Sequence, residues 1–346
     1  MIKKDIRSMF LPELESLLAD MGEPRFRAEQ LFYWLQKGET DFECMTNVPK
    51  RLREALRETS YIADAKTVKR FASKLDETVK YVFELYDGEY IETVLMKYEH
   101  GYTVCISTQV GCRMGCSFCA SGINGLTRSL TASEMLAQIT AVQRDNNIRV
   151  SNIVMMGMGE PLDNFENSVR FLKLVSDEKG LNIGLRHISL STSGVVSGII
   201  KLKEYNFPVA LSISLHAPND KIRSSVMRVN KKWGIDELLS ACKEYQAVTT
   251  RRISFEYALI DGVNDSDACA DELARRLRGI MCHVNLRPAN PVKENSFKKP
   301  DKNKIRHFRE RLTQNGVNAT VRRTLGADID ASCGQLRKRV REGEGQ

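Results

Sequence analysis

Hydrophobic positions recur at helical spacing through the first sixty residues of the chain. The pattern covers 11–21 and 25–36, each run stopping at a glycine, Gly22 and Gly38, and it returns over 49–58. Apolar residues three and four positions apart form one face of an amphipathic helix, and glycine commonly follows the last helical turn. We therefore predict three helices here, forming an N-terminal helical domain.

Between Val79 and Ile106 the spacing of hydrophobic residues changes from the helical repeat to one typical of strands. Three short runs rich in β-branched and aromatic residues, 81–85, 90–96 and 102–107, are separated by Asp-Gly and His-Gly turn dipeptides. Such runs predict strands joined by tight turns. A short β-rich connector is expected after the helices.

Strands and helices alternate after residue 119. Thr131 and Glu134 form a capping-box signature for a helix that runs to about Arg144. The strands predicted beyond it are 153–156, 186–190, 209–214, 253–259, 283–287 and 318–322. This alternation is typical of parallel βαβ units.

The fold predicted from these elements is α/β, a partial (β/α)6 barrel with an N-terminal helical accessory domain. The expected domains are a helical unit over 1–60, the connector over 61–97, a barrel core over 98–330 and a C-terminal segment over 331–346. Loops after the carboxyl ends of barrel strands form the active sites of such folds. The polar residues at those ends are therefore candidates for function.

Composition and charge narrow the class of protein. Of 346 residues, 42% are hydrophobic and 28% charged, with a net charge of +8. No apolar run resembles a signal peptide or approaches the roughly 18 residues of a membrane span. A cytoplasmic protein is expected. The basic excess is compatible with nucleic-acid binding and equally with a solvated basic surface.

Three of the nine cysteines are clustered as Cys112-Arg-Met-Gly-Cys116-Ser-Phe-Cys119. Thiolates suit iron–sulfur clusters and zinc alike, but a structural zinc ion takes four ligands. The nearest further thiol, Cys105, lies on a predicted strand, which makes a four-cysteine zinc site awkward. Three thiolates on a cubane cluster leave one iron open to bind a cofactor.

Polar residues follow four predicted strands: Gly159-Glu160-Pro161, Ser191, Ser214-Leu215-His216 and Asn290. Each alone is typical of a turn or a helix cap. Turns and caps alone explain four such clusters less well, because each lies just beyond a barrel strand, where such folds build their active sites.

The cysteine spacing resembles that of the radical S-adenosylmethionine superfamily, and nearly the whole chain resembles its RlmN/Cfr group of RNA adenosine methyltransferases. The motifs that carry the resemblance are Gly22-Glu-Pro-Arg-Phe-Arg-Ala-Glu-Gln-Leu, Gly111 before the cysteines, Met156-Gly-Met-Gly-Glu-Pro161 and Asp328-Ile-Asp-Ala-Ser-Cys-Gly-Gln-Leu336. The resemblance implies a [4Fe–4S] cluster on Cys112, Cys116 and Cys119. It implies an S-adenosylmethionine pocket of Gly159, Glu160, Ser191, Ser214, Leu215, His216 and Asn290.

The resemblance also implies the reaction, methylation of carbon 2 of adenosine. The substrates would be adenosine 2503 of 23S rRNA and adenosine 37 of tRNAs. Two S-adenosylmethionine molecules are used: one methylates Cys333, and the other yields a 5′-deoxyadenosyl radical that activates the methyl group for addition to the base. Glu92 would accept the C2 proton, and Cys105 would release the product by forming a transient disulfide with Cys333. A monomer supplied with electrons by a flavodoxin or ferredoxin system is expected, with RNA gripped partly by the accessory domain.

Two other interpretations remain open at this point. A Cfr-type enzyme would methylate carbon 8 of the same rRNA adenosine; Pro161 favours the RlmN type, whereas Leu126 stands where that type has an aromatic residue. A zinc-stabilised RNA-binding protein without catalysis would be colourless, and an iron–sulfur protein brown. The candidate phosphate contacts are Arg251, Arg252, Arg322, Arg323 and the basic tail at 337–341. Cys44, Cys242, Cys269 and Cys282 match no motif and are interpreted as structural.

Overall fold

A ten-stranded sheet forms the centre of the molecule in the computed structural model, which describes residues 3–290 and 297–336. The strands are β1 Lys4–Asp5, β2 Ser60–Tyr61, β3 Lys66–Ala72, β4 Val79–Glu84, β5 Tyr90–Tyr98, β6 Gly101–Cys105, β7 Gln109–Gly111, β8 Leu126–Ser129, β9 Val150–Met155, β10 Ile188–Thr192, β11 Ala210–Ser214, β12 Ile253–Leu259, β13 Cys282–Pro288 and β14 Ala319–Val321. The helices are α1 Leu11–Asp20, α2 Phe26–Lys37, α3 Lys50–Thr59, α4 Ala132–Asn146, α5 Phe165–Val175, α6 Val196–Glu204, α7 Asp220–Val226, α8 Ile235–Thr249, α9 Asp267–Leu277 and α10 Lys302–Gln314.

Seven strands of the large sheet are parallel, in the spatial order β6-β9-β10-β11-β12-β13-β14. Along the chain, each of the first six parallel strands is followed by a helix, which gives six β/α units and a final strand. The sheet order is linear, so the barrel is open rather than closed. The predicted partial (β/α)6 barrel is confirmed. Its carboxyl edge gathers the loops that follow the parallel strands.

Strands β3, β4 and β5 extend the same sheet in antiparallel fashion beyond β6. Residues 66–98 are thus continuous with the barrel sheet, where the sequence suggested a connector between two units. Burial explains the arrangement, because every residue of β4 but the last is buried. The four-part domain division remains a prediction.

The N-terminal helices pack on the outside of the barrel and share its hydrophobic core. A buried guanidinium, that of Arg7, donates to the side-chain oxygen of Thr140 on α4 at 2.9 Å. Arg170 on α5 forms an ion pair with Glu13 on α1 at 2.6 Å. These contacts fix the helical part against the first two barrel helices.

Several elements were absent from the sequence prediction: α6, α7 and the strands β1, β2, β3, β7 and β8. β3 is exposed along its whole length, so it lacks the apolar alternation that marks a strand; it exists because β4 pairs with it. α7 has only seven residues, and the side chain of Asn219, the residue before it, caps its start. No helix in the described part of the chain is long and apolar enough to cross a membrane.

Candidate active site

One cavity opens at the carboxyl ends of the parallel strands, with an empty volume of about 980 Å³ that includes its mouth. Ten of the thirteen predicted site residues line it: Cys112, Cys116, Cys119, Gly159, Glu160, Ser191, Ser214, His216, Asn290 and Cys333. They come from six separate segments, so the fold brings together what the sequence scatters. The side chains of Leu215, Cys105 and Glu92 lie outside its lining.

The three clustered cysteines lie on the loop between β7 and β8. The loop is held by the amide of Ser117, which donates to the carbonyl of Val226 at 3.0 Å. Burial raises the pKa of Cys112 to about 12, and burial and the neighbouring thiols raise the pKa of Cys116 well above its usual value. Thiolates in such surroundings require a cationic partner, which a bound iron centre supplies.

The donor set fits a cluster better than a single ion. Within residues 3–290 and 297–336, no three His, Cys, Asp or Glu side chains converge closely enough to hold one metal ion. A polynuclear cluster needs no such convergence, because each thiolate binds a different iron. Three thiolates facing one cavity match the donor set of a cubane cluster with one iron left open, whereas a structural zinc ion takes four ligands.

Glu160 and Gly159 form the loop after β9. The Glu160 carboxylate is buried and accepts hydrogen bonds from the amides of Ser193, at 2.6 Å, and Leu162, at 3.1 Å. Burial raises its pKa, and these hydrogen bonds partly oppose the rise. Gly159 has φ +105, and a Cβ there would lie 2.7 Å from the backbone nitrogen of Gln109. Only glycine lets the two loops approach this closely.

His216 follows β11 with φ 56, a left-handed conformation. Its Nδ1 accepts the amide of Ala258 at 2.9 Å, and its ring meets Phe118 edge to face at 4.8 Å. Burial, with Arg287 and Arg223, holds its pKa well below the usual value, so the ring is neutral. With Nδ1 as acceptor, Nε2 carries the proton and is the available donor.

Leu215 contributes to the structure of the site through its backbone carbonyl and not through its side chain. Its side chain is buried in the main hydrophobic core, whereas its carbonyl accepts the guanidinium of Arg223 at 3.1 Å. The same guanidinium donates to the carbonyls of Ser193 at 2.6 Å and Ser214 at 3.2 Å. Arg223 therefore ties together the ends of β10 and β11, and sequence inspection missed it.

The segment that carries Cys333 packs directly on the cysteine loop. The amide of Ala120 donates to the carbonyl of Gly334 at 2.8 Å, and the hydroxyl of Ser121 donates to the carbonyl of Leu336 at 2.8 Å. From the other side, the side-chain Nδ2 of Asn290 donates to the carbonyl of Cys333 at 3.0 Å. Cys333 is thereby fixed in the wall of the cavity.

Cys105 lies at the end of β6, next to this segment. It is buried in a small hydrophobic cluster that includes Ala331 and Leu336, on either side of Cys333 in the chain. Burial and the Cys333 charge raise the pKa of Cys105 to about 12. Both thiols are free, so the disulfide implied by the resemblance is not formed in this structure.

Glu92 is buried on β5, where its carboxylate lies 3.7 Å from the ammonium of Lys80 on β4. The same ammonium donates to the carbonyl of Asp330 at 3.3 Å. Lys80 thus connects Glu92 with the segment that leads to Cys333. The unmatched cysteines lie elsewhere: Cys242 and Cys269 are buried, Cys282 is half-buried and Cys44 is exposed.

Three charged residues of the site were missed or assigned otherwise. Glu256 on β12 and Arg287 on β13 line the cavity, and their side chains approach to 3.3 Å. Arg322, a candidate phosphate contact in the sequence, instead lies 3.7 Å from Glu256. The available signal was Glu256, the one charged residue of the strand Ile253–Leu259.

Comparison with known families agrees with this architecture. The Radical SAM superfamily model matches residues 106–272, which contain the cysteine loop and the strands through β12. The model for the ribosomal RNA large subunit methyltransferase N-terminal domain matches residues 4–62, which contain α1 to α3.

Full-length relatives narrow the class. The chain is 52% identical over 339 residues to a probable dual-specificity RNA methyltransferase RlmN of Alkaliphilus oremlandii, covering 98% of this chain and 99% of that protein. It is 50% identical to one of Alkaliphilus metalliredigens, covering 98% and 96%. A crystal structure of a radical SAM methyltransferase from Sphaerobacter thermophilus matches with TM-score 0.93 and 47% identity, over 97% of this chain and all of that one. The chain belongs to the RlmN family of radical S-adenosylmethionine RNA methyltransferases.

Membership makes the chain an enzyme that acts on RNA and uses a [4Fe–4S] cluster with S-adenosylmethionine. It also removes the non-catalytic zinc protein from consideration. The fold and the cofactors inferred from the sequence are confirmed; the roles of individual residues are proposals, which follow.

Proposed function

We propose that the protein methylates carbon 2 of adenosine in 23S rRNA and tRNA through a methyl group carried on Cys333. The observation that carries the proposal is the position of Cys333, in the wall of the same cavity as Cys112, Cys116 and Cys119. The group that carries the methyl and the thiols that bind the cluster thus face one space.

The three cysteines would bind the cluster, and Glu160, His216 and their neighbours would hold S-adenosylmethionine beside it. The bound cluster supplies the electron that cleaves S-adenosylmethionine to a 5′-deoxyadenosyl radical. The carboxylate of Glu160 is suited to the ammonium group of S-adenosylmethionine, and the neutral His216 ring offers an N–H donor. Their burial excludes water, which protects a reactive carbon radical.

Carbon 2 of adenine is electron-poor, so methyl transfer by simple displacement is unavailable there. A carbon radical on the Cys333 methyl group adds to it instead, which leaves the base tethered to sulfur. Glu92 then takes the C2 proton, and the adduct gives up its unpaired electron, for which the bound cluster would be the acceptor. Cys105 attacks the Cys333 sulfur, the bond between that sulfur and the methylene carbon breaks, and the carbon takes up a proton to become the methyl group of the base. Cys105 is packed against the Cys333 segment, which supports this assignment. The disulfide formed must then be reduced.

The substrate must reach this cavity with its adenosine out of the stack, as base-modifying enzymes require. Arg251, Arg252 and the exposed Arg323 are the proposed phosphate contacts, with the N-terminal helices as a further RNA-binding surface. The basic tail at 337–341 lies outside the described residues. We place the enzyme in the cytoplasm with its RNA substrates, as a monomer that receives electrons from a flavodoxin or ferredoxin system.

The test is anaerobic reconstitution of the cluster, followed by reaction with 23S rRNA fragments and with tRNA. Nucleoside mass spectrometry identifies the product: 2-methyladenosine supports the proposal, and 8-methyladenosine overturns its regiochemistry in favour of the Cfr type. Cys333→Ala should abolish product, whereas Cys44→Ser, at an exposed cysteine remote from the cavity lining, should match wild type. Product formed by Cys333→Ala at the wild-type rate would refute the role of Cys333.

A further inference from the structure

Two cysteines of the active site lie near one another, but only one can receive the methyl group from S-adenosylmethionine. Burial acts on both thiols and disfavours the thiolate, which is the nucleophile. Something other than burial must therefore distinguish Cys333 from Cys105. The difference between them lies in the charged side chains that face each sulfur.

Cys333 faces two guanidinium groups. Arg287, on β13, and Arg322, just after β14, line one pocket together with Cys333, and the charge of each acts on its sulfur. The other titratable groups around the sulfur are the Glu256 carboxylate, the Cys105 thiol, Tyr98 and Arg323, the last two in the lining of the same pocket. The cations outweigh burial, so the pKa of Cys333 lies below its usual value, whereas that of Cys105 is about 12.

The two arginines are held by one carboxylate. Glu256 is 2% exposed; its Oε2 lies 3.3 Å from Arg287 and 3.7 Å from Arg322. Its Oε1 accepts the side-chain amide of Asn285 at 2.8 Å, which orients the carboxylate. A buried carboxylate between two guanidiniums offsets their mutual repulsion, so both can face the same sulfur.

We propose that Arg287 and Arg322, anchored by Glu256, are positioning residues that select Cys333 as the methyl acceptor by holding it as a thiolate. This inference rests on the proposed function, since it assumes that Cys333 receives the methyl group. In that step the thiolate sulfur attacks the sulfonium methyl carbon and forms the new S–CH3 bond. The old carbon–sulfur bond breaks, and its electron pair stays on the sulfur of S-adenosylhomocysteine.

Methylation also changes the charge around Cys105. The Cys333 charge raises the pKa of Cys105, whereas Arg322 and Arg287 lower it. Once Cys333 is a neutral thioether, it no longer raises the pKa of Cys105, whereas the two arginines still lower it. The same pair of cations then favours ionisation of Cys105, the thiol required later in the reaction.

The test measures alkylation of Cys333 by iodoacetamide against pH, with site-resolved mass spectrometry. The protein is produced under iron limitation, so that Cys333 is unmethylated by intact mass, and is loaded with its cluster anaerobically before the assay. We expect Arg322→Gln and Arg287→Gln each to move the midpoint upward by about one pH unit, a tenfold loss of thiolate near neutral pH. Arg322→Lys keeps the charge and should retain a midpoint close to wild type.

Arg306→Gln is the matched control, because Arg306 is an exposed arginine on α10 that lines neither pocket and is not among the groups that act on Cys333. An unchanged midpoint in both glutamine variants overturns the proposal, as does an equal shift in Arg306→Gln. If Arg322→Gln does not fold, Arg287→Gln and Arg322→Lys decide the question. A wild-type protein whose Cys333 takes no methyl from S-adenosylmethionine would instead refute the proposed function, with the alkylation profile unaffected.

Discussion

The amide of Ala120 donates a hydrogen bond to the carbonyl of Gly334 at 2.8 Å, although 214 positions separate the two residues in the chain. Ala120 directly follows the last cysteine of the cluster loop, and Gly334 directly follows Cys333. The bond therefore sets the position of the proposed methyl carrier relative to the proposed cluster. An altered Gly334 should separate the two functions of the site.

Gly334→Ala should impair methylation of Cys333 while the cluster still forms. The residue has φ +85, and a Cβ would lie 3.2 Å from the carbonyl oxygen of Phe118. Gly316→Ala is the control, because φ there is +82 with open space around the Cβ. Both changes should cost about 1–2 kcal/mol of stability for the left-handed backbone. Only Gly334→Ala should slow methyl uptake, by about tenfold or more, measured by intact mass with the cluster monitored by its absorbance. Equal rates in the two variants would contradict this account.

Cys105→Ala should accumulate a covalent protein–RNA adduct. Without the second thiol the tether between the base and Cys333 cannot be broken, so a band of higher mass should appear on a denaturing gel and disappear after ribonuclease treatment. Cys242→Ala is the matched control, since Cys242 is also a buried thiol but lies on α8 outside the cavity lining. RNA-free Cys105→Ala enzyme after turnover would exclude the resolving role.

Glu160→Gln should weaken S-adenosylmethionine binding and destabilise the protein. Each carboxylate oxygen accepts one backbone N–H group; glutamine keeps one of these acceptors, and its NH2 group cannot replace the other. An unsatisfied buried donor costs about 1–3 kcal/mol. We therefore expect a dissociation constant for S-adenosylmethionine about tenfold higher, and a lower free energy of unfolding. Calorimetric titration and urea unfolding measure the two effects. Glu166→Gln, an exposed position on α5, should change neither; indistinguishable variants would remove Glu160 from the site.

His216 should make stability fall as the pH is lowered below about 6.5. Its folded-state pKa lies well below the unfolded value, so the unfolded chain binds the proton first and acid favours unfolding. Between pH 8 and pH 6 this contributes about 0.8 kcal/mol. His216→Asn, which tolerates the left-handed conformation, should lose that part of the pH dependence in urea unfolding. His307→Gln, at an exposed histidine on α10, should keep it. The same pH slope in wild type and His216→Asn would show that the imidazole is not held neutral.

The sequence identified elements whose pattern is strong. β12 was predicted with the ends that the structure has, because its first residues alternate between apolar and polar side chains and its last residues are apolar. β3 could not be found in this way, since it is exposed throughout and forms by pairing with its neighbour. Strand formation of that kind depends on tertiary context rather than on local pattern.

The residues of the candidate site likewise fall into two groups, those recognisable from the sequence and those visible only in the structure. Residues in short, unusual motifs were found, because cysteine spacing and glycine-rich turns are visible in the chain itself. Arg223 and Glu256 were not, because neither belongs to a motif of adjacent residues. Their roles are visible only in the folded protein. There Arg223 donates to the carbonyl of Ser193, and Glu256 lies within ion-pair distance of Arg287.

By itself the sequence determined the chemistry that the protein contains: three thiols at cluster spacing, a glycine–glutamate turn after a strand, and a repeating β/α rhythm. It determined these because each depends on residues adjacent in the chain. Only the tertiary structure decided which thiol faces which charge. Cys105 lies far in sequence from Arg287, Arg322 and Cys333. Electrostatic effects depend on distance in space and on exclusion of water, both of which folding sets.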